Sequence, residues 1–122
     1  KDSPDQNSID SINRLLIKFD LANTVEQFGG LNEIIGRNSN PFSGGQLKRF
    51  GIVRALLSDA DVFLFDEPEA GLDKSNRSKV IEEILKLNRL VFVISHLPES
   101  RNSFTHIASI SNGDMWFKSI ND

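Results

Sequence analysis

Ile9, Ile12, Leu15, Leu16 and Phe19 recur at three- and four-residue intervals, the spacing of a helix with one apolar face. Ser8 precedes the run's bulk and is the expected N-cap. A second helical piece over residues 23–28 is expected to end at Gly29 and Gly30, which can supply a left-handed C-cap. Leu31–Ile35 is a short apolar stretch, and a loop with Gly36, Asn38, Asn40 and Pro41 follows it. Ser43 then opens a helix predicted to reach about Ser58, with Gly44 and Gly45 in its first turn.

Val62, Phe63, Leu64 and Phe65 are apolar at every position. Such a run predicts a strand covered on both faces, as in a parallel sheet flanked by helices. Asp66, Glu67 and Pro68 follow it directly. Asp73 is placed to cap a helix from Lys74 to about Leu87, with Val80, Ile81, Ile84, Leu85 and Leu87 as the buried stripe. Leu90–Ile94 is a second all-apolar strand, closed by Ser95 and His96. Strand, helix, strand predicts a right-handed parallel crossover. Ile107–Ile110 and Met115–Ile120 flank Asn112 and Gly113, a hairpin-turn signal. The class is therefore α/β, with a helical first third. Ligands of open α/β sheets bind beyond the carboxyl ends of the strands, where Asp66, Glu67 and His96 fall.

Composition narrows the function. The net charge of -3 leaves no basic footprint, so no nucleic acid partner is expected. The absence of cysteine excludes disulfides and thiolate-bound zinc. No apolar run approaches the roughly 20 residues that cross a bilayer, so membrane spans would have to come from elsewhere. The polar opening and a first residue other than Met read as an excerpt of a longer polypeptide.

Three groups of residues carry candidate chemistry. Ser43, Gly44, Gly45 and Gln46 start a helix whose first turn has free N–H donors and a partial positive charge, a geometry that suits a phosphate. Taken alone, the same residues also read as a plain cap with glycines relieving crowding. Asp66 and Glu67 end a buried strand, where one carboxylate can hold Mg²⁺ and the next can orient or deprotonate a water. An ordinary strand exit would look the same. His96 can donate to a phosphate oxygen or serve as a structural hydrogen-bonder. The order and spacing join them. Twenty positions, room for one helix, separate Gln46 from Asp66; twenty-nine, room for one crossover, separate Glu67 from His96.

In that order and spacing the segments resemble those of the ABC ATPases. Residues 40–57, NPFSGGQLKRFGIVRALL, are similar to the signature segment. Residues 62–67, VFLFDE, resemble the Walker B strand; 70–73, AGLD, the D-loop; 94–96, ISH, the H-loop; and 112–114, NGD, the late hairpin turn. The resemblance covers most of the chain. It implies a partial P-loop NTPase-like parallel sheet preceded by a helical subdomain. Residues 1–7 would be a polar leader, 8–58 the helical subdomain with the signature helix, and 59–122 the carboxy-terminal part of the ATPase core.

The resemblance further implies a head-to-tail pair of ATPase domains, homodimeric or heterodimeric, joined to a transmembrane domain at the cytoplasmic face of the plasma membrane. ATP and Mg²⁺ would be the cofactors. Ser43 and Gly45 would donate to the terminal phosphate of ATP held by the partner domain, Gly44 would permit close approach, and Gln46 would lie near the ribose. Asp66 would bind Mg²⁺ through water, Glu67 would act as general base, and His96 would hold the terminal phosphate. Asp73 would couple the two sites.

The departures matter as much. No Gly-x-x-x-x-Gly-Lys-Ser/Thr run occurs, so the loop that cradles phosphates is absent and the chain alone is expected to be inactive. The loss of that half also predicts an exposed apolar surface and self-association. Phe42 stands where Leu is usual, which keeps an apolar anchor. Gly30–Gly36 resembles the lead-in of fused exporters, whereas Pro68 with Ala70 and Gly71 looks more importer-like; the reading leans to a bacterial exporter. The alternatives are a non-transport ABC ATPase associated with translation or DNA repair, and a catalytically silent ABC half.

Overall fold

The computed structural model describes residues 5–32, 41–96 and 103–120. Its elements run α1 (Gln6–Lys18), α2 (Ala22–Gln27), α3 (Gly44–Leu56), β1 (Val62–Asp66), α4 (Lys74–Leu85), β2 (Leu90–Ile94), β3 (His106–Ser111) and β4 (Asp114–Ser119). The expected loop residues Gly36, Asn38 and Asn40, and the end of the apolar stretch before them, lie outside the described residues.

α1 starts earlier than its apolar pattern suggests. Asp5, not Ser8, is the N-cap: its carboxylate accepts from the Ser8 backbone N–H at 2.7 Å. A carboxylate is a strong cap acceptor, and it lies three residues before the donor it needs. α2 ends as expected. Gly29 and Gly30 both have positive φ, and the Gly30 N–H returns to the Val25 carbonyl at 2.9 Å.

β1 and β2 pair in parallel, with Val62 beside Leu90, Leu64 beside Phe92 and Asp66 beside Ile94. α4 is the crossover between them. One face of this pair carries the core. Phe63 and Phe65 stack with parallel rings 6.0 Å apart and join Leu15, Leu16, Phe19, Leu21, Ile52, Val53, Leu72, Val80 and Ile84. Burying a side chain of this size contributes on the order of 2 kcal/mol, so these eleven residues hold the helices to the sheet.

The other face departs from the expectation of a strand buried on both sides. Val62, Leu64, Leu90, Phe92 and Ile94 are exposed, Leu64 by 78%. Side chains alternate along a strand, and no described element covers the side to which these point. In α4, Leu85 is exposed and Ile81 half-buried, so the core stripe narrows to Val80 and Ile84. Leu87 packs against the core from beyond the helix end.

Glu83 ties α4 to α1. It is 5% exposed and receives Lys18 at 2.7 Å, Lys86 at 2.8 Å and Arg14 at 3.2 Å. Burial would raise its carboxyl, but the hydrogen bonds from Lys18, Lys86 and Arg14 outweigh that and bring it down to about 2. β3 and β4 form a separate antiparallel hairpin across Asn112 and Gly113, both at positive φ as the tight turn requires.

Candidate functional site

The carboxyl ends of β1 and β2 bring distant residues together. Asp66 lies beside Ile94 in register, and the Glu67 N–H donates to the Ile94 carbonyl at 2.8 Å. That bond extends the ladder by one step and then the chain turns. Glu67 takes φ +43, a left-handed conformation uncommon for a residue with a side chain. The turn swings its carboxylate toward the end of β2, where His96 Nε2 lies 2.9 Å from Glu67 Oε1. His96 is 84% exposed and Glu67 42%, so the pair adds little to stability and remains open to a ligand.

Asp66 is exposed beside this pair. Among the described residues no group of three or more His, Asp or Glu could hold a metal unaided. A single carboxylate is nevertheless what Mg²⁺ needs when phosphates and water complete its shell, so Asp66 fits that role.

The Ser43 region is a complete capping box. Ser43 Oγ accepts from the Gln46 N–H at 3.2 Å, and Gln46 Oε1 accepts from the Ser43 N–H at 2.8 Å. The Gln46 amide nitrogen also donates to Thr24 Oγ1 at 3.1 Å, which ties the start of α3 to α2. A methyl group added at Gly44 or Gly45 would meet nothing within 4 Å among the described residues. The glycines therefore leave an open surface over the helix start; they do not relieve crowding there. Phe42 stands just before and packs between Phe28, 5.2 Å away edge-on, and Phe50, 4.9 Å away. It is the apolar anchor its position requires.

Asp73 caps α4, accepting from the Asn76 N–H at 3.0 Å and the Asn76 amide at 2.7 Å. The backbone bond first, then the side-chain bond, hold its carboxyl below the ordinary value. A carboxylate has lone pairs to spare after these two bonds.

Two residues that sequence reasoning missed join the site. Lys48 on α3 donates to the carbonyls of Glu67 at 2.6 Å and Ala70 at 3.0 Å. Glu69 is 3% exposed; its Oε1 accepts from the Ser95 hydroxyl, while its Oε2 is buried without a hydrogen-bond partner among the described residues. No sequence pattern signals either contact, because both join segments about twenty or more positions apart.

The ABC transporter family model matches residues 8–70. The chain is 34% identical over 114 residues to the glutathione/L-cysteine transport system ATP-binding/permease protein CydC of Haemophilus influenzae, covering 91% of this chain and 20% of that protein. It is 40% identical over 88 residues to the ATP-dependent lipid A-core flippase of Wigglesworthia glossinidia brevipalpis, covering 70% and 14%. A macrolide export ATP-binding/permease protein, MacB of Bartonella quintana, is 33% identical over 89 residues, covering 70% and 14%. The chain thus spans a fifth or less of these curated relatives.

Proposed function

The chain belongs to the ABC transporter family, and from that premise we propose that it is the carboxy-terminal part of an ATP-hydrolysing domain that powers an exporter. The observation that carries the reading is the meeting of Glu67 and His96 at 2.9 Å, beside Asp66, at the carboxyl ends of adjacent parallel strands.

Each residue has a role consistent with its surroundings. Mg·ATP would supply the electrophilic terminal phosphate. The Glu67 carboxylate accepts a proton from the attacking water, and His96 holds that carboxylate and a phosphate oxygen in one frame. Asp66 would hold Mg²⁺, which would supply charge neutralisation at the phosphates. Capping uses an acceptor lone pair of Ser43 and leaves its hydroxyl hydrogen for a phosphate. With the Gly45 N–H, that hydrogen serves ATP held by a second ATPase domain, while Gly44 lets the phosphate approach. Gln46 keeps the helix start in register through Ser43 and Thr24, next to the ribose. Asp73 caps α4 and offers its spare lone pairs across the domain pair. The partners are a second ATPase domain and a transmembrane domain; the site of action is the cytoplasmic face of the membrane. Among the described residues no helix is long and apolar enough to cross a membrane.

The test is ATP turnover by the full-length protein with Mg²⁺. Glu67→Gln should abolish turnover and preserve ATP binding. Turnover that survives this substitution would overturn the assignment.

A further inference from the structure

The left-handed turn at Glu67 is held from three sides. Its N–H is fixed to β2 through the Ile94 carbonyl at 2.8 Å, and its own carbonyl accepts from the Ala70 N–H at 3.0 Å. The third hold comes from α3, where the Lys48 ammonium reaches the same Glu67 carbonyl at 2.6 Å and the Ala70 carbonyl at 3.0 Å. Both lone pairs of the Glu67 carbonyl are thereby engaged. A side-chain-bearing residue at positive φ persists only when its surroundings over-determine it. Charge-assisted bonds to two carbonyls of one turn supply that constraint.

We propose that Lys48 is a positioning residue for Glu67, joining the helix that begins at Ser43 to the turn that aims the Glu67 carboxylate. The inference rests on the functional reading above and deepens it. α3 carries the Ser43–Gln46 start at one end and Lys48 in the next turn, so a shift of that helix shifts the Glu67 backbone with it. Occupancy at the helix start is then felt at the carboxylate without direct contact between them. Lys48 itself is half-buried, and its donors point at backbone rather than at the open space beside Asp66.

The test compares Lys48→Met, Lys48→Arg and Glu67→Gln in the full-length protein under Mg·ATP. Met keeps the length and apolar stem but cannot donate, so kcat should fall about tenfold or more with KM for ATP within about twofold. Arg keeps donors and charge, and should restore kcat to within about threefold of the unaltered protein. Lys48→Gln, which keeps a donor group for one carbonyl, should fall between them and serves if the Met variant does not fold. An unchanged kcat in Lys48→Met beside a dead Glu67→Gln would overturn the positioning role and leave the functional reading standing. A raised KM with unchanged kcat would make Lys48 a nucleotide ligand and likewise overturn it. Turnover that survives Glu67→Gln would remove the reading on which both rest.

Discussion

Glu67 and His96, twenty-nine positions apart in sequence, place Oε1 and Nε2 within 2.9 Å of each other. Neither side chain is buried, and an exposed pair of this kind stabilises by at most about 1 kcal/mol. His96→Ala should therefore leave the thermal midpoint of this chain almost unchanged while lowering ATP turnover of the full-length protein by about a hundredfold. Calorimetry and a phosphate-release assay read the two effects. A large loss of stability in the variant would make His96 a structural residue.

Gly44 and Gly45 give a sharper separation. Among the described residues nothing stands near an added methyl at either, and both have helical backbone. Gly45→Ala should stabilise the isolated chain by a few tenths to about 1 kcal/mol, because alanine costs less to order in a helix. The same methyl would stand where a phosphate must approach, so ATP turnover in the full-length protein should collapse. Retained turnover would show that the helix start faces no nucleotide.

Glu83 makes stability depend on acid. Its folded carboxyl sits at about 2 against an ordinary value of 4.5, so the unfolded chain takes up the proton first. The stabilisation is present above 4.5 and is lost as pH falls from there through about 2. Thermal midpoints by circular dichroism should fall across that interval. Glu83→Gln should cost about 2 kcal/mol near neutrality and flatten the acid limb. An unchanged acid limb in the variant would mean that other carboxylates control it.

Glu69 keeps one carboxylate oxygen buried without a partner among the described residues, and its other oxygen accepts from Ser95. Replacing Ser95 with Ala would leave the Glu69 side chain without a hydrogen bond among the described residues, at a cost of about 1–3 kcal/mol. Glu69→Met, of similar volume, should cost less than Ser95→Ala because it removes the buried polar group altogether. Chemical denaturation of the two variants decides the order.

Val62, Leu64, Leu90, Phe92 and Ile94 form a continuous apolar stripe on the uncovered face of β1 and β2. The isolated chain should self-associate through it, and Leu64→Glu should shift the chain toward monomer. Light scattering over a concentration series reads this directly; a monomer at every concentration before substitution would refute it.

Much of this was legible in the chain itself. The helix at Ser43, the Asp73 cap and the Asn112–Gly113 turn each depend on residues a few positions apart, so local chemistry alone determines them. The order of the segments likewise fixed the parallel pairing of two apolar strands and put Asp66, Glu67 and His96 at their ends. The tertiary structure decided what depends on distant neighbours. Burial of a strand face depends on what lies across it, so an all-apolar run could not reveal that Val62 and Leu64 stay exposed. The positive φ of Glu67, the reach of Lys48 to its carbonyl and the buried Glu69 arise from contacts between distant segments. A hydrogen bond between segments leaves no periodicity in either one; it exists only once the chain has closed upon itself.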